Sequence, residues 1–123
     1  MTPIDLLSSF VRLQDDGHAE PVDRTFGGPT SGWHVMVFRA DTNTDVHADD
    51  WEIHTEADEL VVCVSGGLRV YLLGETDEEP AVRLPPGHAA VVPRGRWHRM
   101  ELDCPSDIMS MTFPRGSRLE PRH

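Results

Sequence analysis

Three residues of metal-binding type lie close together near the middle of the chain. The segment Trp51-Glu52-Ile53-His54 alternates as a β-strand does, which places Glu52 and His54 on one face. Glu59 follows after a short turn, and hairpin pairing is expected to carry it back beside His54. Imidazole and carboxylate groups are the protein ligands of Zn, Fe, Mn and Ni. The spacing therefore predicts part of a site for one divalent metal ion.

A fourth residue, His98, begins a predicted strand just after the turn Pro93-Arg94-Gly95. Two spaced motifs contain these residues. The spacing Glu52-x-His54-x4-Glu59-x6-Gly66 resembles the first motif of the cupin superfamily. The spacing Gly87-x5-Pro93-x-Gly95-x2-His98 matches the second cupin motif at every position. The chain is therefore identified as similar to small single-domain cupins of the cupin 2 type.

The resemblance implies an all-β fold, a single jelly-roll-like barrel, often paired as a homodimer. In such barrels two histidines and a glutamate of the first motif, with the histidine of the second, hold one metal ion. His54, Glu59 and His98 match these ligands in type and place. Glu52 stands where the first histidine of the family would be. The domain is expected to span residues 1–123, with the core barrel at about 33–113.

The glutamate at position 52 has three interpretations. As a fourth metal ligand it would give two carboxylates and two imidazoles, a set that favours harder ions such as Mn or Fe. As a catalytic acid or base it would leave the two-histidine, one-carboxylate arrangement with open metal positions. In the third interpretation, Glu52 pairs with an arginine and has no role at the metal.

Four further residues are candidates for lining a pocket beside the metal. His34 and Met36 lie on the predicted strand Trp33–Ala40, Cys63 shares the face of Glu59, and Met100 follows His98. Each also has a structural interpretation. A buried histidine usually hydrogen-bonds within the core, and a small apolar core residue is the favoured interpretation for Cys63. Methionines more often fill cores than contact substrates.

Short strands separated by glycine and proline turns must position these residues. The pattern predicts strands at Trp33–Ala40, Trp51–His54, Leu60–Val64, Leu68–Leu73, Ala81–Leu84, Ala89–Val92, Trp97–Leu102 and Ile108–Phe113. Ser65-Gly66-Gly67 is predicted to be a hairpin turn. Thr2-Pro3 and the apolar residues up to Val11 predict a short capped N-terminal helix. A loop is expected from Asp15 to Ser31.

Composition restricts the partners of the chain. The 123 residues include 21 Asp and Glu against 11 Lys and Arg, a formal charge of -10. Nucleic acids and anionic membrane surfaces both require basic faces, so neither is an expected partner. The two cysteines have no CxxC spacing, and we expect a reduced, cytoplasmic protein without a signal peptide or a membrane span.

Three functions are compatible with these observations. The first is a metal-dependent enzyme acting on a small molecule, of the dioxygenase, isomerase or lyase class, with Glu52 as a ligand or a proton carrier. The second is a module that binds or senses a small molecule without turnover. The third is a metal-free barrel with degenerate motifs. Whether the chain is an enzyme is left open by the sequence.

Overall fold

The chain folds into β-strands of very different lengths. A computed structural model describes residues 1–24, 32–74 and 78–123. Within them, no helix has the length and apolar character needed to cross a membrane. A 3-10 helix spans Asn43–Val46. The strands are β1 (Phe10–Leu13), β2 (Ala19–Val22), β3 (Trp33–Ala40), β4 (Asp50–Ile53), β5 (Glu59–Leu72), β6 (Val82–Leu84), β7 (His88–Val92), β8 (His98–Thr112) and β9 (Arg118–Pro121).

The two longest strands, β5 and β8, form an antiparallel ribbon that belongs to two sheets at once. They pair from Leu60↔Met111 at one end to Leu72↔His98 at the other. At the first end the ribbon is flanked by β7 on one side and by β3, β1 and β2 on the other. At the second end it is flanked by β6 on one side and by β4 and β9 on the other. The sheet is therefore curled, with a common interior between its halves.

The ribbon bends at Gly66, where the sequence predicts a hairpin turn. That prediction is wrong: β5 continues through Ser65-Gly66-Gly67, with three shifts in its register against β8. Gly66 has φ +92°, and a Cβ atom there would lie 2.2 Å from the Ser106 hydroxyl oxygen. The glycines thus make a β-bulge that bends one strand, instead of a loop that reverses it. For the same reason the two predicted strands Trp97–Leu102 and Ile108–Phe113 are one strand, β8.

The interior half-way along the ribbon is an apolar core. Its fully buried members include Val61, Cys63, Leu68 and Ile108, and Phe38 and Met100 pack against its edge. Alternate residues of the same strands face outward. Val11, Val35, Met111, Leu60 and Val91 lie opposite one another across five strands, in register. This row gives one sheet an apolar outer face, on which the Val91 side chain is 63% exposed.

The N-terminal helix is not observed. Residues 6–8 form a turn closed by hydrogen bonds from the Ser8 and Ser9 amides to the Asp5 carbonyl, 3.1 and 3.0 Å. Leu7 is 63% exposed, so this segment has no apolar face to bury as a helix. Phe10 is instead buried in β1, which pairs with β3. The expected loop from Asp15 to Ser31 contains β2, and its last seven residues lie outside the described part.

Candidate metal centre

Four side chains converge at the open end of the interior: Glu52, His54, Glu59 and His98. Each lies at or beside a strand end. Glu52 is in β4, His54 follows the last residue of β4, and Glu59 and His98 are the first residues of β5 and β8. Glu52 lies directly opposite His98 in the β4–β8 pairing. The alternation expected from the sequence, which places Glu52 and His54 on one face, is present.

Glu59 lies beside His54 as predicted, but the two strands that carry them do not pair as the predicted hairpin. In the described pairings β4 contacts β8 and β9, whereas β5 contacts β6, β7 and β8. Glu59 is held by the Thr112 hydroxyl at 2.6 Å and lies 3.2 Å from His98 Nε2. Thr112 and His98 are the two ends of β8, which would be roughly 46 Å apart in a straight strand. The bend in the ribbon therefore brings both ends of β8 to one carboxylate.

The spacing of the donor atoms is that of ligands around one ion. Nε2 of His54 lies 3.0 Å from Glu59 Oε2 and 3.3 Å from Glu52 Oε1. Nε2 of His98 lies 3.2 Å from Glu59 Oε1 and 3.5 Å from Glu52 Oε1. Ligand atoms held about 2.1 Å from a metal are roughly 3.0–3.4 Å apart in octahedral and tetrahedral sites.

Three of these atoms are buried polar groups without a hydrogen-bond partner among the described residues. They are His54 Nε2, His98 Nε2 and Glu59 Oε1. Leaving such groups unsatisfied is costly, and natural structures usually supply a partner, a water or an ion. Two imidazole nitrogens and two carboxylates suit Zn, Fe, Mn or Ni. The residues present therefore fit one divalent transition-metal ion.

The Nδ1 atom of each imidazole, which faces away from the four-residue cluster, also has a hydrogen-bond partner. Nδ1 of His98 donates to the Arg96 carbonyl at 3.2 Å. Nδ1 of His54 lies 2.7 Å from the Ser117 hydroxyl, which itself donates to the Phe113 carbonyl at 3.4 Å. The Ser117 oxygen is thus assigned as the acceptor of the Nδ1 proton. When neutral, both histidines therefore present Nε2 without a proton to the interior, as metal-binding histidines do.

Without a metal, the charges of the four residues are strongly coupled. Burial alone would lower the pKa of His54 and of His98, but the carboxylates of Glu52 and Glu59 outweigh it. The pKa of His54 rises to about 9 and that of His98 to about 10. Burial alone would raise the pKa of both glutamates, and the imidazoles lower it instead. The metal-free site therefore consists of paired imidazolium and carboxylate groups.

A cavity of about 370 Å³ is lined by three of the four donor residues, Glu52, Glu59 and His98. Of the predicted pocket residues, Met36 and Met100 line it. His34 lies instead against the Phe10 ring, with 5.8 Å between ring centroids, where burial and then the nearby Arg12 lower its pKa. Cys63 is in the apolar core, the interpretation favoured from the sequence.

Sequence reasoning missed three residues of the site. Thr112 supports Glu59, Ser117 supports His54, and Phe10 forms one wall of the cavity. Strand alternation at Ile108–Phe113 could have placed Thr112 on the inner face. No local signal in the sequence joins Ser117 to His54, which lies 63 positions away.

The chain is similar in fold to solved structures, but the comparisons by sequence find no match. No protein-family model matches the chain, and no curated protein is similar to it. A protein from Klebsiella pneumoniae with a double-stranded β-helix domain has a TM-score of 0.58 and 17% identity, over 80% of this chain and 84% of that one.

Two further solved structures have similar folds. A cupin-2 domain protein from Shewanella frigidimarina has a TM-score of 0.50 and 17% identity, over 80% of this chain and 78% of its own. A sugar phosphate isomerase of the cupin superfamily, from Silicibacter pomeroyi, has a TM-score of 0.51 and 21% identity. That likeness covers 70% of this chain and 52% of the isomerase. The chain therefore has a cupin-type fold.

Proposed function

We propose that the chain binds one divalent transition-metal ion and uses it to act on a small molecule in the adjacent cavity. His54, Glu59 and His98 are the central ligands, and Glu52 is either the fourth ligand or an acid–base group beside the ion. The observation that carries this proposal is the convergence of four donor side chains beside the cavity, three of whose inward-facing atoms are buried and make only ionic contacts with one another and with Glu52 among the described residues. Desolvated imidazole and carboxylate groups that have no hydrogen bond gain strong bonds when an ion binds between them.

The chemistry divides between the ion and the chain. When bound, the metal supplies a Lewis acid that polarises a substrate oxygen, or a centre for O2 activation. Glu59, buried and held by Thr112, keeps its carboxylate between the two imidazoles. Glu52 is half-buried and borders the cavity, so its carboxylate, where it does not bind the ion, can take up or release a proton near a bound molecule.

One structural neighbour, the isomerase, is an enzyme by name, which supports turnover over an inert barrel. Its sugar phosphate substrate does not transfer, because similarity of fold leaves the reaction open. The proposal of an enzyme therefore depends on the donor set and the cavity, and the reaction class is to be found by assay.

Metal content provides the first test. The protein, purified without chelators, is expected to contain about one transition metal per chain by elemental analysis, and His98→Ala should lose most of it. His88→Ala is the matched control, since His88 is exposed in β7 and outside the cluster. A chain that stays metal-free after reconstitution with Zn²⁺, Mn²⁺ and Fe²⁺ would contradict the proposal.

A binding or sensing module is the second candidate, and the position of Glu52 is the observation that favours it. If Glu52 completes the metal shell, fewer positions remain for substrate or O2. Glu52→Gln distinguishes the two roles of this residue. A ligand role predicts weaker metal binding, whereas an acid–base role predicts retained metal and lost turnover, followed for example as oxygen consumption.

A further inference from the structure

The cavity beside the donors has apolar walls and a charged rim. Phe10, Met36 and Val46 are buried wall residues, and Phe38 and Met100 are half-buried. These side chains come from β1, β3, β8 and the 3-10 helix, so they surround the space above the metal donors. A molecule that reaches the donors must therefore place most of its body against carbon and sulfur.

Three arginines also border the cavity, and each already has partners. Arg24 donates to the carbonyls of Leu7 and Val37 and lies over the Phe10 ring. Arg39 pairs with Asp41 and Asp107, at 3.2 and 3.4 Å.

The third arginine, Arg99, pairs with Glu101 at 2.6 Å and stacks on the Tyr71 ring at 3.9 Å. Across the described part of the chain, the cavity lining also contains four carboxylates, Asp45, Asp50, Glu52 and Glu59. A phosphate dianion would meet these carboxylates and would have to compete with the partners of the arginines.

The volume of the cavity accommodates a small ligand. About 370 Å³ corresponds to roughly twelve molecules of liquid water, which is enough for a single-ring molecule together with some water. From this we infer that the ligand of the proposed metal site is a neutral or singly charged oxygen chelator with an apolar body of about one ring, and not a phosphorylated sugar. This inference rests on the proposed function and adds the ligand class to it.

Two probes that share a chelating group test the apolar walls. Benzohydroxamate and acetohydroxamate present the same oxygens to a metal and differ in a phenyl against a methyl group. Binding to the metal-loaded protein is measured by calorimetry, with metal content determined before and after. We expect benzohydroxamate to bind at least about ten-fold more tightly, because its ring is buried among the wall residues. Fructose 6-phosphate should bind more weakly than either hydroxamate.

Paired methionine variants connect the preference to the cavity. Met100→Gln puts a polar amide into the wall and should reduce the preference to about three-fold or less, because it weakens benzohydroxamate binding more than acetohydroxamate binding. Met109→Gln is the control, because Met109 lies on the same strand and pairs with Val37 on the outer face. Met36→Gln is a second wall variant from a different strand.

The outcomes separate the inference from the proposal beneath it. Equal affinities for the two hydroxamates in a protein that retains its metal would overturn the ligand class and leave the metal site standing. Tighter binding of fructose 6-phosphate would do the same. A preference that Met100→Gln and Met36→Gln both leave intact would place the ring elsewhere and overturn the inference. A chain that takes up no metal would overturn both.

Discussion

At the scale of single residues, the site depends on hydroxyl groups behind the proposed ligands, which hold their side chains in place. The orientation of His54 is set by Ser117 and that of Glu59 by Thr112, through hydrogen bonds of 2.7 and 2.6 Å. Such outer partners keep one tautomer and one ring orientation, so the inner donor is ready before the metal arrives. These supporting contacts can be tested without altering any proposed ligand.

Ser117→Ala removes the acceptor for the Nδ1 proton of His54. We expect the affinity for Zn²⁺ to fall about ten-fold or more, because the ring is no longer held with Nε2 inward. Ser117→Thr keeps the hydroxyl and should restore most of the affinity. Both are measured by competition with a chromophoric chelator.

Ser65→Ala is the matched control for this loss of a hydroxyl, since Ser65 bonds Asp107 away from the site. Unchanged Zn²⁺ affinity in Ser117→Ala would show that the hydrogen bond does not position His54.

The ionisation of His54 and His98 predicts how pH affects the metal-free protein. Their folded-state pKa values, about 9 and about 10, lie above the ordinary value of 6.5. A raised pKa contributes stability that is fully present below about pH 6.5 and is lost as pH rises through about 9 to 10. The free energy of unfolding of the chelator-treated protein should therefore fall by roughly 2 kcal/mol or more between pH 6.5 and 10.

Urea unfolding across this pH range provides the measurement. A variant with both His54→Gln and His98→Gln lacks the two titrating rings, so its stability should vary much less with pH. If the original and double variant lose the same stability, the imidazoles are not charged in the metal-free site.

At the scale of elements, the β5–β8 ribbon decides whether the site exists. Its bulge is made by Gly66, whose missing Cβ makes room for Ser106. The Gly67 amide donates to the Ser106 hydroxyl at 3.1 Å, which connects the two strands at the bend. Because the bend brings Thr112 and His98 to the same carboxylate, a substitution at Gly66 should weaken metal binding.

Gly66→Ala tests this connection. The left-handed φ alone costs about 1–2 kcal/mol, and the 2.2 Å approach to Ser106 adds to it. We expect a loss of at least about 3 kcal/mol in urea unfolding, accompanied by weaker metal binding.

Gly87→Ala is the control for Gly66→Ala, because Gly87 also has a positive φ, +80°, but has no atom within 4 Å of the added Cβ. It should cost only the conformational part. Equal losses in the two variants would argue that the bend tolerates a side chain.

At the scale of the whole molecule, one face of the sheet is left apolar. The row from Val11 to Val91 crosses five strands, and neighbouring Val62 and Met109 extend it. Exposed apolar faces of this kind are typical of interaction sites. Two copies of a chain with a net charge of -10 repel each other at long range. A contact along this row adds no further repulsion, because the residues of the row carry no carboxylates. The homodimer implied by the cupin resemblance stays a prediction, and we expect it to use this face.

Val91→Lys places a charge on this face at a position that is already 63% exposed, so the fold should tolerate it. We expect light scattering to show a dimer for the original chain and a monomer for this variant. Val82→Lys is the control, since Val82 is exposed on β6 in the other half of the ribbon. A monomer at all concentrations for the original chain would contradict the prediction.

The sequence predicted short-range features of the fold better than long-range ones. The strands at β3, β4 and β7 were predicted nearly to their ends, because β3 and β7 are apolar segments beside a turn glycine or proline and β4 alternates between two polar loops. The short strands β1, β2 and β9 were missed, because four-residue segments carry little pattern and Arg118–Pro121 is exposed throughout. Their strand conformation comes from the partners they pair with.

The sequence by itself determined the chemical types of the four donors, their order along the chain, and the turn glycines that lie between them. Only the tertiary structure decided how Glu59 meets His98 and which groups support them. A hairpin and a bulge can contain the same Gly66-Gly67 pair, and the choice depends on whether a partner strand such as β8 continues past it. Pairings between distant strands are set by burial on a shared interior, which no local spacing encodes.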